Sequence, residues 1–389
     1  MISDMKNPDI RPTNQDSASI SKLQLIMFFL CFFLWTTSAY GGKTIDIAAI
    51  YAMTGAAAEG NALTLQGIRY AVDEINKQGG VLGRDIKLLV FDNQSTPIGS
   101  TVAAKQAVAA EVLGIVGSDW SSHSIAVAKV AQNNGIPMIS SLSTNPEVTK
   151  IGDYIFRICF TDDFQGQIIA KFARRDLNAE TAVIFVDVTS DYSLKLSEIF
   201  QKNFKKLGGK ILLELEYKLK QQHFDEEAKR AAATDADVMF IPGHDESGFI
   251  VKQAQNAGTT AIFLGGDGWS TPSFFRKGGA ELKQGYYSAH WSVNLDTDRS
   301  RSFVKKYIHS EISAENIALG YDAMMLMADA IARSGSDDRK KIKEAIANTH
   351  AFEGVTGNIN FNIYGDPIKS AVFMEIKNGT PHYLKTLEP

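Results

Sequence analysis

The sequence predicts an α/β fold of two doubly wound parallel-sheet lobes. Two observations carry that reading. From Thr44 onward short β-branched runs alternate with longer amphipathic segments, and the same alternation starts afresh at Thr181 with a second set of similar size. Composition agrees: 44% hydrophobic and 22% charged residues in a chain of 389 give apolar content for more than one core.

The first set reads IDIAAIYA then LTLQGIRYAVDEINKQGG, IKLLVFD then STVAAKQAVAAE, VLGIVG then HSIAVAKVAQNNG, IPMISS, and YIFRICF then QGQIIAKFARRDLN. Each pair is a strand followed by a helix. Ile68, Ala71, Val72 and Ile75 fall three and four apart on one helical face, and Gly79 and Gly80 stop that helix. The second set runs TAVIFVD, SLKLSEIFQKNFKKLGG, KILLELEY, a polar helix over 224–233, DVMFIPG, ESGFIVKQAQNAG, AIFLGG and GYYSAH. A long helix over 317–335, a short one over 339–348 and a hairpin-like end complete the chain.

The amino terminus stands apart. Lys6, Arg11 and Lys22 precede the apolar stretch LQLIMFFLCFFLW, and the small residues Ser38 and Ala39 follow it, the pattern of a secretory signal peptide over 1–39. Its roughly 13 apolar residues fall short of the roughly 20 that a bilayer span needs, so a soluble periplasmic protein is expected. Cys31 lies inside that stretch, which leaves Cys159 without a partner for an intramolecular disulfide. Stability must then come from core burial.

Several chemistries are excluded. The net charge is -4 and no dense basic run is present, so no nucleic-acid partner is expected. No Gly-x-Gly-x-x-Gly opens the first helix, and LGGDGW after a predicted strand lacks the third spaced glycine. The seven histidines are scattered without metal-ligand spacing, and no nucleophile elbow occurs. Ser121 and Ser122 have His123 beside them only in sequence. Neither cofactor, metal nor enzymatic activity is expected.

A binding constellation remains, because ligands of open parallel sheets sit beyond the carboxyl ends of the strands. Ser121, between a strand ending at Gly117 and the next helix, can hold an anion with its hydroxyl and neighbouring N–H groups, or can simply cap the helix. In SSLSTNPEVT, residues 140–149, the Leu142 carbonyl and the Thr144 hydroxyl and N–H form a second set of donors and acceptors. Ser143 or Thr144 equally reads as the turn before a short helix with Pro146 near its start. Asp267 is a countercharge for an ammonium or a turn residue beside Gly268, and Tyr192 is a ligand contact or a packed aromatic.

On these residues the chain resembles the leucine/isoleucine/valine-binding protein family, periplasmic receptors of the type I fold that serve ABC transporters. The pieces that carry the resemblance are MTGAAAEGNALTLQGIRYAVDEINKQGGVLGR, GIPMISSLSTNPEVT, FRICFTDDFQGQIIAKF and GYDAMMLMADAI. The resemblance implies a ligand carboxylate held at Ser121, and an ammonium held by the Leu142 carbonyl, Thr144 and Asp267. Asp162 and Tyr192 also fall on pocket positions, and Ser143 is carried with its segment. Trp120, His244, Trp269 and Tyr321 are candidates for the side-chain subsite. The chain departs from the family where two pocket tyrosines fall on Gly60 and His244, and where Asp267 stands for a frequent Glu.

The resemblance further implies lobes over 44–161 with 290–368 and over 162–289 with 369–389, joined by three crossings near 160–162, 289–291 and 367–370. The expected protein is a monomer that closes on an amino acid and delivers it to an ABC permease. A non-amine carboxylate, an amide, or a sensory role at a signalling receptor are the alternatives.

Overall fold

A computed structural model describes residues 44–389. The expected signal peptide over 1–39 lies outside the described residues. The first lobe begins with β1 (Ile45–Tyr51), α1 (Ala58–Lys77), β2 (Ile86–Asp92), α2 (Pro97–Ala109), β3 (Gly114–Gly117), α3 (Ser121–Asn133), β4 (Met138–Ser140) and β5 (Ile155–Arg157). These strands form one sheet in the order β2-β1-β3-β4-β5, parallel throughout. Strands buried on both faces read as continuous apolar runs, which is why IDIAAIY lacks alternation.

The chain then passes to α4 (Asp162–Arg175), β6 (Thr181–Asp187), α5 (Asp191–Lys206), β7 (Lys210–Tyr217), α6 (Asp225–Ala232), β8 (Val238–Ile241), α7 (Ser247–Asn256), β9 (Ile262–Gly265), α8 (Pro272–Lys277) and β10 (Gln284–Ala289). It returns to the first lobe as α9 (Asp298–Tyr307), α10 (Ala314–Ser334), α11 (Arg339–Ala347) and a hairpin of β11 (Phe352–Gly354) and β12 (Gly357–Ile359). Finally β13 (Ala371–Lys377) and β14 (Thr380–Leu387) cross back and join the second sheet, whose order is β14-β13-β10-β9-β8-β6-β7.

That sheet departs from a purely parallel expectation. β13 runs antiparallel to β10, and β14 antiparallel to β13. A crossover between parallel strands needs a dozen or more residues, whereas β13 and β14 are joined by the tight turn at Asn378 and Gly379, which only an antiparallel pair allows. The segment after Thr144 also differs from its expected helix start. Residues 146–148 form a turn in which Asn145 Oδ1 accepts from the Glu147 N–H at 2.9 Å, and only a short 3-10 turn, Thr149–Ile151, follows.

One packing feature positions the site. α1 and α10 touch backbone to backbone: a Cβ on Gly67 would stand 1.9 Å from the Ile317 carbonyl oxygen, and one on Gly320 2.1 Å from that of Thr64. Both glycines are therefore required by close approach rather than by backbone conformation. The result sets Asn316, one turn before Gly320, against Gly60 at the start of α1, where its Nδ2 faces the Gly60 carbonyl at 3.5 Å.

Candidate functional site

The carboxyl ends of the two sheets face each other across a cleft, as expected for open α/β sheets. Between them lies a cavity of about 40 Å³, room for about three waters at roughly 10–15 Å³ each, so the cleft must open to admit anything larger. The first lobe contributes Ala57, Gly60, Asn61, Asp119, Trp120, Ser121, Leu142, Thr144 and Asn316, and the second Tyr192, His244, Asp245, Asp267, Gly268 and Thr271.

Ser121 is the first residue of α3, not its cap. Trp120 occupies the cap position without a side-chain hydrogen bond, and the Ser121 hydroxyl instead accepts from the Asn145 N–H at 3.2 Å. The Ser121 and Ser122 N–H groups at the start of α3 precede the first turn's own bonds, which begin with His123 N–H on the Trp120 carbonyl at 3.0 Å, so this end of the helix favours an anion. Thr144 is buried, and its hydroxyl lies by the Asp162 carboxylate without a hydrogen bond of ordinary geometry. Its carbonyl accepts from the Asp162 N–H at 2.9 Å, which ties the first crossing to this loop.

The other serines of the segment are committed internally. Ser140 donates to the Ser118 carbonyl at 2.9 Å, Ser141 pairs with the Tyr51 hydroxyl at 2.6 Å, and Ser143 donates to the Asp119 carbonyl at 2.7 Å. Ser143 therefore shapes the loop and does not line the cavity. Asp162 does not line it either: it is fully buried at the start of α4, where burial raises its carboxyl well above the usual range.

Asp267 sits just past β9 with its carboxylate gathered by three side chains. Gln165 Nε2 donates to Oδ1 at 2.6 Å, the Tyr192 hydroxyl donates to the same oxygen at 2.9 Å, and His290 Nε2 lies 3.3 Å from Oδ2. Burial raises the Asp267 carboxyl, but the bonds from His290, Gln165 and Tyr192 outweigh it and hold the group below its ordinary value. Burial drives the His290 ring down, against the opposing pull of the Asp267 carboxylate. Gly266 makes room for this cluster, since a Cβ there would stand 2.2 Å from the Tyr192 hydroxyl oxygen and 3.1 Å from Gln165 Nε2. The glycines of LGGDGW thus serve close packing.

Aromatic rings bridge the cleft. Trp120 of the first lobe stacks on His244 of the second with centroids 4.2 Å apart and planes within 2°, and Tyr192 also stacks on His244 at 5.0 Å. His123 stacks behind Trp120 at 5.3 Å, its ring pushed down to about 4 by burial and by His244. Asn145 Nδ2 also donates across the cleft to the Asp191 carbonyl at 2.8 Å, and Arg276 pairs with Glu59 at its exposed rim. That rim pair adds little, because an exposed pair contributes about 0–1 kcal/mol.

Two of the aromatic candidates lie elsewhere. Tyr321 packs in the first-lobe core against Phe303, centroids 4.9 Å apart, and Tyr307, 6.0 Å apart. Trp269 is fully buried in the second-lobe core against Phe274, with its indole N–H on the Ile241 carbonyl at 3.2 Å. Four residues that the sequence did not single out complete the site: Asn61 and Asn316 in the wall, Gln165 and His290 around Asp267. Asn61 and Gln165 were detectable as buried polar residues on otherwise apolar helix faces, beside Leu65 and Ile168.

Asp119 gives the cavity a pH dependence. Its Oδ2 accepts from the Thr64 hydroxyl at 2.7 Å, its Oδ1 has no partner among the described residues, and burial pushes its carboxyl up to about 7. Between about pH 4 and pH 7 the folded chain holds a proton there that the unfolded chain has released, so this group's contribution to stability falls as pH rises across that window. Urea unfolding of ligand-free protein at pH 4.5 and 7.5 should show a steeper decline for the wild type than for Asp119→Asn. Equal declines would refute the assignment.

Comparison with known proteins bears on the same residues. The profile of a family described as periplasmic binding protein matches residues 44–381. The chain is 34% identical to a leucine-binding protein, LivK, of Thermotoga maritima, with a TM-score of 0.85 over 89% of this chain and 99% of that one. It is 30% identical to the branched-chain amino acid transporter substrate-binding protein LivJ of Streptococcus pneumoniae, solved with isoleucine, with a TM-score of 0.83 over 89% of this chain and 100% of that one. A leucine-, isoleucine-, valine-, threonine- and alanine-binding protein of Pseudomonas aeruginosa is 26% identical over 328 residues, 83% of this chain and 87% of the relative.

Proposed function

Because the chain belongs to the periplasmic binding protein family, a family of non-enzymatic solute-binding components of ABC transporters, we propose that it closes on a small amino acid in the periplasm and delivers it to a permease. The observation that carries this reading is the polarity of the cavity. One side offers the amino end of α3 and the Ser121 hydroxyl, which suit a carboxylate; the Thr144 hydroxyl and the negative charge of Asp267 suit an ammonium.

The residues fall on both lobes, and that division gives a mechanism. The first lobe holds the carboxylate through the amino end of α3 and the Ser121 hydroxyl, and part of the ammonium through Thr144, in the open receptor. The second lobe adds Asp267, Tyr192 and His244 only when the cleft closes, so a zwitterion binds the closed form more tightly and shifts the population towards it. The carbonyl of Leu142, a residue that lines the cavity, accepts a further hydrogen bond from the ammonium. The closed pair of lobe surfaces is then what the permease reads.

Calorimetric titration of ligand-free protein with amino acids and with their deaminated analogues tests the reading. An amino acid that binds while its analogue does not supports it. A simple carboxylate, such as an aromatic acid, that binds more tightly than every amino acid replaces it.

A further inference from the structure

We infer that the wall formed by Asp119, Asn316 and Asn61 is a polar subsite that takes a ligand side chain bearing N–H groups, a carboxamide or an ammonium, in preference to a branched aliphatic one. This rests on the amino-acid reading above and specifies its substrate class. Three elements build the wall. Asn61 and Gly60 come from the start of α1, Asp119 from the loop after β3, and Asn316 from the start of α10, which the Gly67–Gly320 contact brings alongside. They are connected: the Thr64 hydroxyl donates to Asp119 Oδ2 at 2.7 Å, and Asn316 Nδ2 faces the Gly60 carbonyl one turn before Thr64.

These bonds leave particular atoms free. Asp119 Oδ1 and Asn316 Oδ1 are both buried and both without a hydrogen-bond partner among the described residues, while Asp119 is 6% and Asn316 4% exposed. Asn61 uses its Oδ1 to accept from the Ala52 N–H at 2.8 Å, which leaves its Nδ2 as a donor on the same wall. Two orphaned acceptors and one donor complement a carboxamide, which gives two N–H and accepts one. An ammonium satisfies the two acceptors and gains the Asp119 charge.

A branched aliphatic side chain satisfies none of these atoms. It would exclude water from two buried acceptors and leave both unpaired, an arrangement that hydrogen-bonding sites reject strongly. Among the described residues, the aliphatic side chains lining the cavity are those of Ala57 and Leu142. The wall is therefore poorly suited to leucine, isoleucine or valine, although relatives bind them.

The test is calorimetry on ligand-free protein with L-glutamine, L-asparagine, L-lysine and L-ornithine against L-leucine, L-isoleucine and L-valine. At least one of the first group should bind about 100-fold or more tightly than any of the second. Asp119→Leu, close in shape, should weaken that ligand by at least about 10-fold and improve leucine binding, with melting checked first. Should Asp119→Leu fail to fold, Asn316→Leu carries the same expectation from the other acceptor. Tightest binding of leucine, isoleucine or valine by the wild type overturns the subsite but leaves the amino-acid reading standing. An unchanged preference in a folded variant overturns it as well. Binding of no amino acid in either group defeats the reading on which the subsite rests.

Discussion

Asp267→Ala should weaken binding of the native amino acid by about 2–5 kcal/mol, a loss of roughly 30-fold to several thousand-fold in Kd. The magnitude follows from burial. In the closed cleft the ligand ammonium is stripped of water, and without its countercharge it is left desolvated and unpaired. The simple deletion has a second effect, because Gln165, Tyr192 and His290 all converge on this carboxylate and would lose their acceptor together. Asp267→Asn separates the two. It keeps the shape and one oxygen for Gln165 and Tyr192 while removing the charge.

Deaminated analogues complete that separation. A carboxylate without an amine gains nothing from the Asp267 charge, so Asp267→Asn should leave its affinity unchanged or improve it while the amino acid loses affinity. Discrimination between the two should collapse. If amino acid and analogue fall equally, Asp267 is a strut of the second lobe and the ammonium is held elsewhere. If neither falls, the amine assignment fails outright.

How much of this was legible beforehand differs between the fold and the site. The strand-then-helix alternation is a local property, because apolar period and stop glycines act within one element, so the sheets were readable except where β13 and β14 attach. The strand-end rule led to Ser121, Thr144, Tyr192, His244 and Asp267, all of which line the cavity. Side-chain direction within a buried helix was not readable. Tyr321 and Asn316 lie five residues apart on α10, about 140° around an α-helix, and every residue from Ala314 to Met324 is buried. When all faces are covered, periodicity no longer tells which one meets the cleft, and the aromatic residue was chosen over the amide.

The polar partners escaped for another reason. His290 reaches Asp267 from the second crossing, and Gln165 reaches it from α4, contacts 23 and 102 residues apart in the chain. No local pattern encodes them. What Asp119 contributes depends on which of its oxygens Thr64 uses, a fact of packing alone.

Arg157→Ala should produce the largest loss of stability, about 3–5 kcal/mol, as expected when one partner of a buried ion pair is removed. Arg157 is fully buried at the end of β5, with Nε 2.7 Å from the Asp366 carboxylate. Its other nitrogens donate to the Ser143 carbonyl at 2.5 Å, the Asn145 carbonyl at 2.8 Å and the Thr149 hydroxyl at 3.0 Å. It therefore grips the backbone on either side of Thr144 and fixes the loop that presents that hydroxyl to the cavity. Only a planar guanidinium spans these acceptors, so Arg157→Lys should recover part of the stability and little of the affinity. A paired replacement tests the electrostatic account: Arg157→Met with Asp366→Asn removes both charges and should be milder than Arg157→Met alone, because no carboxylate is then left buried without its cation. Affinity should remain low in the double variant, since the guanidinium no longer grips the Ser143 and Asn145 carbonyls and only the weak Cys159 thiol donor, 3.3 Å away, remains on the former. If the double variant is no more stable than Arg157→Met, the ion pair is not the source of the loss; if it binds as the wild type does, Thr144 needs no such anchor.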